Sequence, residues 1–299
     1  MAGFERWKDA ILLVALASIW GGSFLFIKIA IVVIPPLSIV AGRVILGGLA
    51  LAVVVLLRGD RLPRDRRVWL DCLVVALVGN LGPFFLIAWG EQSIESGLAA
   101  ILMGAMPLSA LLLAHLLTDD EKLNRGKLLG VGFGLAGIVV LIGPAALGGL
   151  GRDLGAQLAI VAAGCGYALG GIYSRRSGLT KLPAPVVASA ILLLCSLLIL
   201  PPALIVDRPW ALQPGAGPLL ALAGLGVLST GLAYLLLFHL LARRGVTYVA
   251  LNNYMVPVFG LIWGALLLAE PITLRALAGL ALILVGVGLV QARMTRIAQ

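Results

Sequence analysis

Trp20-Gly21-Gly22-Ser23-Phe24-Leu25-Phe26-Ile27-Lys28, followed by Pro35 and Pro36, has a counterpart 147 residues later. That counterpart is Tyr167-Ala168-Leu169-Gly170-Gly171-Ile172-Tyr173-Ser174-Arg175, followed by Pro183 and Pro185. Working outward, a proline within an apolar run recurs as Pro107 and Pro257. Glu121, Gly130 and Gly137 recur as Glu270, Gly279 and Gly286. The chain therefore reads as one pattern written twice, over residues 1–145 and 146–299. Five apolar runs fall in each copy, and an odd number of spans turns the second copy over in a membrane, the architecture of inverted-repeat transporters.

Composition agrees. Of 299 residues, 61% are hydrophobic and 12% charged, against about 25% charged in soluble domains, and the mean hydropathy is +1.11. Apolar runs at 10–33, 36–57, 68–89, 96–117, 126–143, 155–176, 185–206, 216–241, 247–269 and 272–292 approach the roughly 20 residues that a spanning helix needs. None has the period of a barrel strand. The sequence thus predicts an all-α integral membrane protein with ten transmembrane helices arranged as two inverted five-helix repeats. The first run extends beyond a signal-peptide core and is read as a retained span.

The net charge of +9 is distributed, not clustered as a nucleic-acid footprint. With the N-terminus on side A, that side collects 17 of the 22 lysines and arginines, among them Arg58, Arg61, Arg64, Arg66 and Arg67 in one link. Links on side B hold Arg152, Arg208 and Arg275. The positive-inside rule makes side A cytoplasmic and places both termini there.

Several chemistries are excluded by what is missing. Cys72, Cys165 and Cys195 lack paired spacing, so neither a disulfide framework nor a zinc site is expected, and they read as small packing residues. Gly132-Phe133-Gly134-Leu135-Ala136-Gly137 matches a dinucleotide-binding pattern but follows no strand; close helix packing explains it better, as do Gly130, Gly279 and Gly286. No nucleophile elbow, phosphate loop or metal-ligand cluster is present; Asp119-Asp120-Glu121 is a lone acidic group. The expectation is no enzyme, no metal and no cofactor. His115 and His239 are read as interfacial packing residues. Glu121 and Glu270 are read as carboxylates complementing the N-terminus of the last helix of each half. The acidic residues all fall in links or near span ends, which argues against proton coupling through a central carboxylate.

A candidate pathway emerges from residues near mid-span. Trp20 and Tyr167 occupy matching places. Asn80 and Phe84 match Thr230 and Tyr234 at an offset of 150, each pair four residues apart and so on one helix face. Met103 and the pair Asn252 and Asn253 stand just before Pro107 and Pro257, prolines expected to kink their helices and free carbonyls toward a cavity. These nine residues are the candidate substrate-binding set. Lys28 and Arg43 are bases inside spans. Their stems could snorkel to the outer face, or Arg43 could attract a carboxylate or phosphate along the pathway.

The tryptophan-glycine start, the proline-opened second helix, the mid-helix prolines and the paired glutamate-glycine endings resemble the EamA-type drug/metabolite transporter superfamily across nearly the whole chain. Within it, the chain is similar to the YddG-type amino-acid exporters of bacterial inner membranes. The resemblance implies ten helices with cytoplasmic termini and a central cavity lined by helices one, three, four, six, eight and nine. It also implies a multi-pass carrier in the bacterial inner membrane whose partners are membrane lipids and a small-molecule substrate, with no nucleic acid. The expected function is export of small metabolites, amino acids including aromatic ones, by facilitative alternating access. The alternatives are efflux of neutral hydrophobic drugs or other metabolites and, more remotely, a membrane enzyme on lipid-linked substrates.

Overall fold

A computed structural model describes the backbone of residues 2–118, 125–147 and 152–297 and the side chains of 7–118, 128–141, 154–245 and 248–289. Asp119, Asp120 and Glu121 lie outside the described residues. Those residues form helices and connecting turns, with no strand among them. In chain order the rods are α1 (Ala2–Ala30), α2 (Pro36–Leu57), α3 (Arg66–Gly90), α4 (Ser96–Leu117), α5 (Arg125–Leu147), α6 (Arg152–Ser177), α7 (Ala184–Asp207), α8 (Ala216–Gly245), α9 (Asn252–Leu268) and α10 (Leu274–Ile297).

Seven of these, α1 to α4 and α6 to α8, are long and apolar enough to cross a membrane; α5, α9 and α10 offer shorter apolar stretches among the described residues. The predicted ninth span, 247–269, shortens because the chain leaves helical geometry at Gly245 (φ 78°) and turns again at Ala250 and Leu251. Leu197 on α7, Leu220 on α8 and Leu266 on α9 are each at least 70% exposed. Such an apolar exterior suits lipid, where dispersed leucines need no cover. The chain is a multi-pass membrane protein.

Local chemistry sets the ends of the rods. Pro36 opens α2 and Pro185 stands in the first turn of α7, where a missing N–H costs nothing. Asp65 caps α3 by accepting from the Arg67 N–H at 2.8 Å, and Gly178 in left-handed geometry (φ 83°) follows α6.

Helix packing is symmetrical between the halves. The pair α1–α9 has its counterpart in α6–α4, α3–α6 in α8–α1, and α2–α8 in α7–α3, while α2–α7, α4–α9 and α5–α10 pair across the middle. Small residues allow the closest approaches. A Cβ added to Gly79 of α3 would lie 2.9 Å from the Gly170 Cα of α6, and one on Gly286 would lie 2.5 Å from the Gly130 carbonyl oxygen. The glycine reading of α5 and α10 therefore holds in three dimensions.

Two helices widen at matching points. α3 makes a π turn at Leu77–Leu81 and α8 at Val227–Leu232. A π turn leaves carbonyls short of partners, and a membrane interior offers no water to supply them. Side chains do so here: the Asn80 amide donates to the Val75 carbonyl, and the Thr230 hydroxyl to the Leu225 carbonyl, each at 3.1 Å and five residues back. α4 is broken at Gly104 and Ala105, immediately before Pro107. Pro257 instead stands inside a continuous α9, whose break precedes it at Ala250 and Leu251.

Candidate functional site

Between the halves lies a cavity of about 800 Å³, within the range of about 300–1,000 Å³ usual for small-molecule sites. Its depth runs from Ile27 and Ile87 to Leu179, Thr180 and Leu182 in the α6–α7 link. The cavity thus extends as far as that link.

Side B is sealed. Lys28 Nζ donates to the Glu91 and Ile94 carbonyls at 2.8 and 2.6 Å, which replaces the snorkelling reading for this lysine. Glu270 accepts from Ser96 N at 2.8 Å and from Ser96 Oγ and Gly97 N at 2.9 Å. Glu270 was expected to complement its own helix, α10; it caps α4 instead. The cause is local: Ala269 adopts φ 54° at the end of α9 and turns the chain back toward α4. Asp207, at the end of α7, accepts from the Ser38 N–H at 2.7 Å.

Of the nine predicted binding residues, eight line the cavity: Trp20, Asn80, Phe84, Met103, Tyr167, Tyr234, Asn252 and Asn253. Pro107 and Pro257 line it as well. Thr230 does not. It is fully buried behind Arg43, whose Nε donates to Thr230 Oγ1 at 3.1 Å. Arg43 itself is 8% exposed and lies on the cavity wall, its guanidinium carbon 3.8 Å from the Phe84 ring centroid. It is held inside the protein and does not snorkel.

The walls are aromatic. Phe84 meets Tyr167 edge-on with ring centroids 6.1 Å apart, and Tyr234 tilts against Phe238 at 5.9 Å. Trp20 is braced by its indole N–H donating to the Ser229 carbonyl at 3.2 Å. Two polar side chains have unused hydrogen-bonding capacity. Among the described residues Arg43 makes one hydrogen bond, through Nε, which leaves its four terminal N–H donors. Asn252 Oδ1 is buried and has no hydrogen-bond partner.

The sequence reading missed two groups of residues. Ser23, Phe24 and Ile27, one and two turns beyond Trp20, and Ile191 and Leu192 of α7 also line the wall; continuing the helical period from Trp20 points to the first three. It also missed a buried acid. Glu91, just beyond α3, has no exposed surface, and neither carboxylate oxygen has a hydrogen-bond partner. Glu91 lies in a link, as the sequence reading has it, but is buried there. A link position conceals it, because α6 covers this turn: a Cβ on Gly90 would sit 3.0 Å from the Ala156 carbonyl oxygen. Among the described residues no group of three histidines, cysteines or acids could hold a metal.

The model of the EamA-like transporter family matches residues 7–143 and again 154–291. The chain belongs to the EamA-like transporter family. It is a transporter and not an enzyme. The uncharacterized transporter YvbV of Bacillus subtilis is 28% identical over 98% of this chain and 94% of its own. A probable amino-acid metabolite efflux pump of Salmonella typhimurium is 27% identical over 93% of each chain. An S-adenosylmethionine/S-adenosylhomocysteine transporter of Chlamydia trachomatis is 27% identical over 85% of this chain and 80% of its own. A solved crystal structure shares this fold with a TM-score of 0.68 at 22% identity, over 98% of this chain and 99% of that one.

Proposed function

We propose that this EamA-like transporter exports amino acids, aromatic ones included, from the cytoplasm by alternating access at the central cavity. The carrying observation is Arg43. A guanidinium on a largely apolar wall, stacked on Phe84 and with four N–H donors to spare, suits a carboxylate through paired hydrogen bonds. The unpaired Asn252 Oδ1 is an acceptor for an ammonium group, and Trp20, Phe84, Tyr167 and Tyr234 offer ring faces to an aromatic side chain. The Salmonella relative, named for amino-acid metabolites, supports the same substrate class.

The accompanying architecture is ten crossings in two inverted repeats, residues 1–145 and 146–299, with both termini cytoplasmic in a bacterial inner membrane. The repeated packing pairs and the charge excess on side A support it. The cavity then faces the cytoplasm in this state, and export requires the side-B clasps at Lys28, Glu270 and Asp207 to release. Transport is facilitative, driven by the solute gradient.

The test is counterflow of labelled phenylalanine and tryptophan in liposomes bearing the purified protein. Saturable exchange is expected, competed by amino acids and not by the corresponding decarboxylated amines. Equal competition by the amines would transfer the reading to neutral and cationic drugs.

A further inference from the structure

Glu91 combines three features that no part of the transport reading uses. It has no exposed surface, its two carboxylate oxygens lack any hydrogen-bond partner, and it sits in the turn that seals side B. We propose that Glu91 is a proton-binding site that controls this seal: the turn closes with a neutral Glu91 and opens when the carboxyl ionises toward side B. The inference deepens the carrier reading and rests on it only for the meaning of the seal.

The charges around Glu91 support a neutral carboxyl. Lys28 of α1 is nearby, but its ammonium is committed to the Glu91 and Ile94 carbonyls and forms no ion pair with the Glu91 side chain. Glu270, from the α9–α10 link, adds a negative charge from the second half, committed to the N-terminus of α4. Arg43 of α2 is the other charged neighbour, and it is bound to Thr230. Glu95 lies in the same turn and is exposed. α6 covers the turn with Ala156 and Ile160 and contributes no titratable side chain among its described residues near Gly90. Lys28 and Arg43 are thus both engaged elsewhere, and an ionised Glu91 would be a buried negative charge without a hydrogen-bond donor, a costly state.

Glu91 lies in the α3–α4 link, outside the spanning rods. Burial pushes its carboxyl well above the usual carboxylate range, against the opposing pull of Lys28. In the open turn, water restores an ordinary carboxylate. The linkage sign follows: the closed state has the raised value, so its advantage is fully present below the ordinary carboxylate range and disappears as pH rises through the raised value. The proton is taken from side-B water on closing and returned to it on opening. It does not cross the membrane, which agrees with facilitative transport. Position gives the seal its reach, since the Glu91 N–H donates to the carbonyl of Ile87, a residue of the cavity wall.

The test is hydrogen–deuterium exchange of the backbone amides of residues 92–97 in the full-length protein, normalised to the chemical exchange rate at each pH. The open fraction of the wild type should grow about tenfold per pH unit between the ordinary carboxylate range and the raised value, and level off above it. Glu91→Gln, isosteric with the neutral acid, should stay protected at every pH while retaining amino-acid counterflow at low pH. A wild-type turn without this slope, or the same slope in Glu91→Gln, overturns the proposal. Counterflow in the same preparation tests the carrier reading separately. Absent flux with the exchange slope intact refutes amino-acid transport and supports the proton site; intact flux with no slope does the reverse.

Discussion

The Arg43 guanidinium carbon stands 3.8 Å from the centroid of the Phe84 ring, and its Nε is tied to Thr230 at 3.1 Å. α2, α3 and α8 therefore meet at one cation on the cavity wall. The ring faces one side of the guanidinium and contributes about 0.5–2 kcal/mol, more where the cation is dry. Thr230 fixes its direction. Its four terminal N–H donors are left unused among the described residues.

Arg43→Gln should raise the half-saturating concentration for amino acids about ten- to a hundredfold, the equivalent of losing hydrogen bonds to a charged group. Arg43→Lys should recover little, because an ammonium lacks the planar fork and stacks less well on Phe84. Counterflow kinetics on the two variants provide the check. Recovery by lysine would mean that charge alone matters.

Thr230→Val keeps the shape and removes the hydroxyl. Both its bonds disappear, the one given to the Leu225 carbonyl and the one received from Arg43. A loss of about 1–2 kcal/mol in stability is expected, the scale of buried hydrogen bonds in membrane proteins, together with weaker substrate binding. Thr230→Ser should restore both. Thermal unfolding in detergent and counterflow report the two effects separately.

The asymmetry at this point explains what the sequence could and could not tell. Repetition alone located the cavity, because residues at equal offsets on equivalent helices line it from both halves; Trp20 with Tyr167 and Phe84 with Tyr234 are examples. Asn80 and Thr230 look equivalent by the same logic, and both satisfy the carbonyl of a π turn. Their fates differ because α2 supplies Arg43 over Thr230. The π turns themselves were not legible, since hydropathy is blind to one extra residue in a turn. Glu91 was missed because burial by α6 depends on packing across the whole chain.

Two adjacent glycines of α6 should respond in opposite ways. A Cβ on Gly170 would lie 2.6 Å from the Gly79 Cα, whereas one on Gly171 meets nothing within 4 Å. Gly170→Ala should cost about 1–3 kcal/mol by overpacking backbone against backbone. Gly171→Ala should be neutral or slightly stabilising through better helix propensity. Melting temperatures of both variants in one detergent decide it, and equal values would mean that α3 and α6 are less tightly apposed than described.

The last prediction concerns how the side-B clasp is aimed. Glu270 reaches Ser96 and Gly97 from the second half of the chain because Ala269 holds φ 54°, a conformation that costs a residue with a Cβ about 1–2 kcal/mol. Glu270→Gln retains one acceptor but loses the charge facing the α4 N-terminus, so the clasp should weaken by about 0.5–2 kcal/mol. Ala269→Gly relieves the strain and should stabilise the closed state, since glycine adopts this geometry freely, although its looser unfolded chain offsets part of the gain. Amide exchange in residues 96–99 measures both: faster in Glu270→Gln, slower in Ala269→Gly. Slower exchange in both would mean that the carboxylate strains the seal, and a clasp from one half to the other would then have to be sought at Asp207 and Ser38.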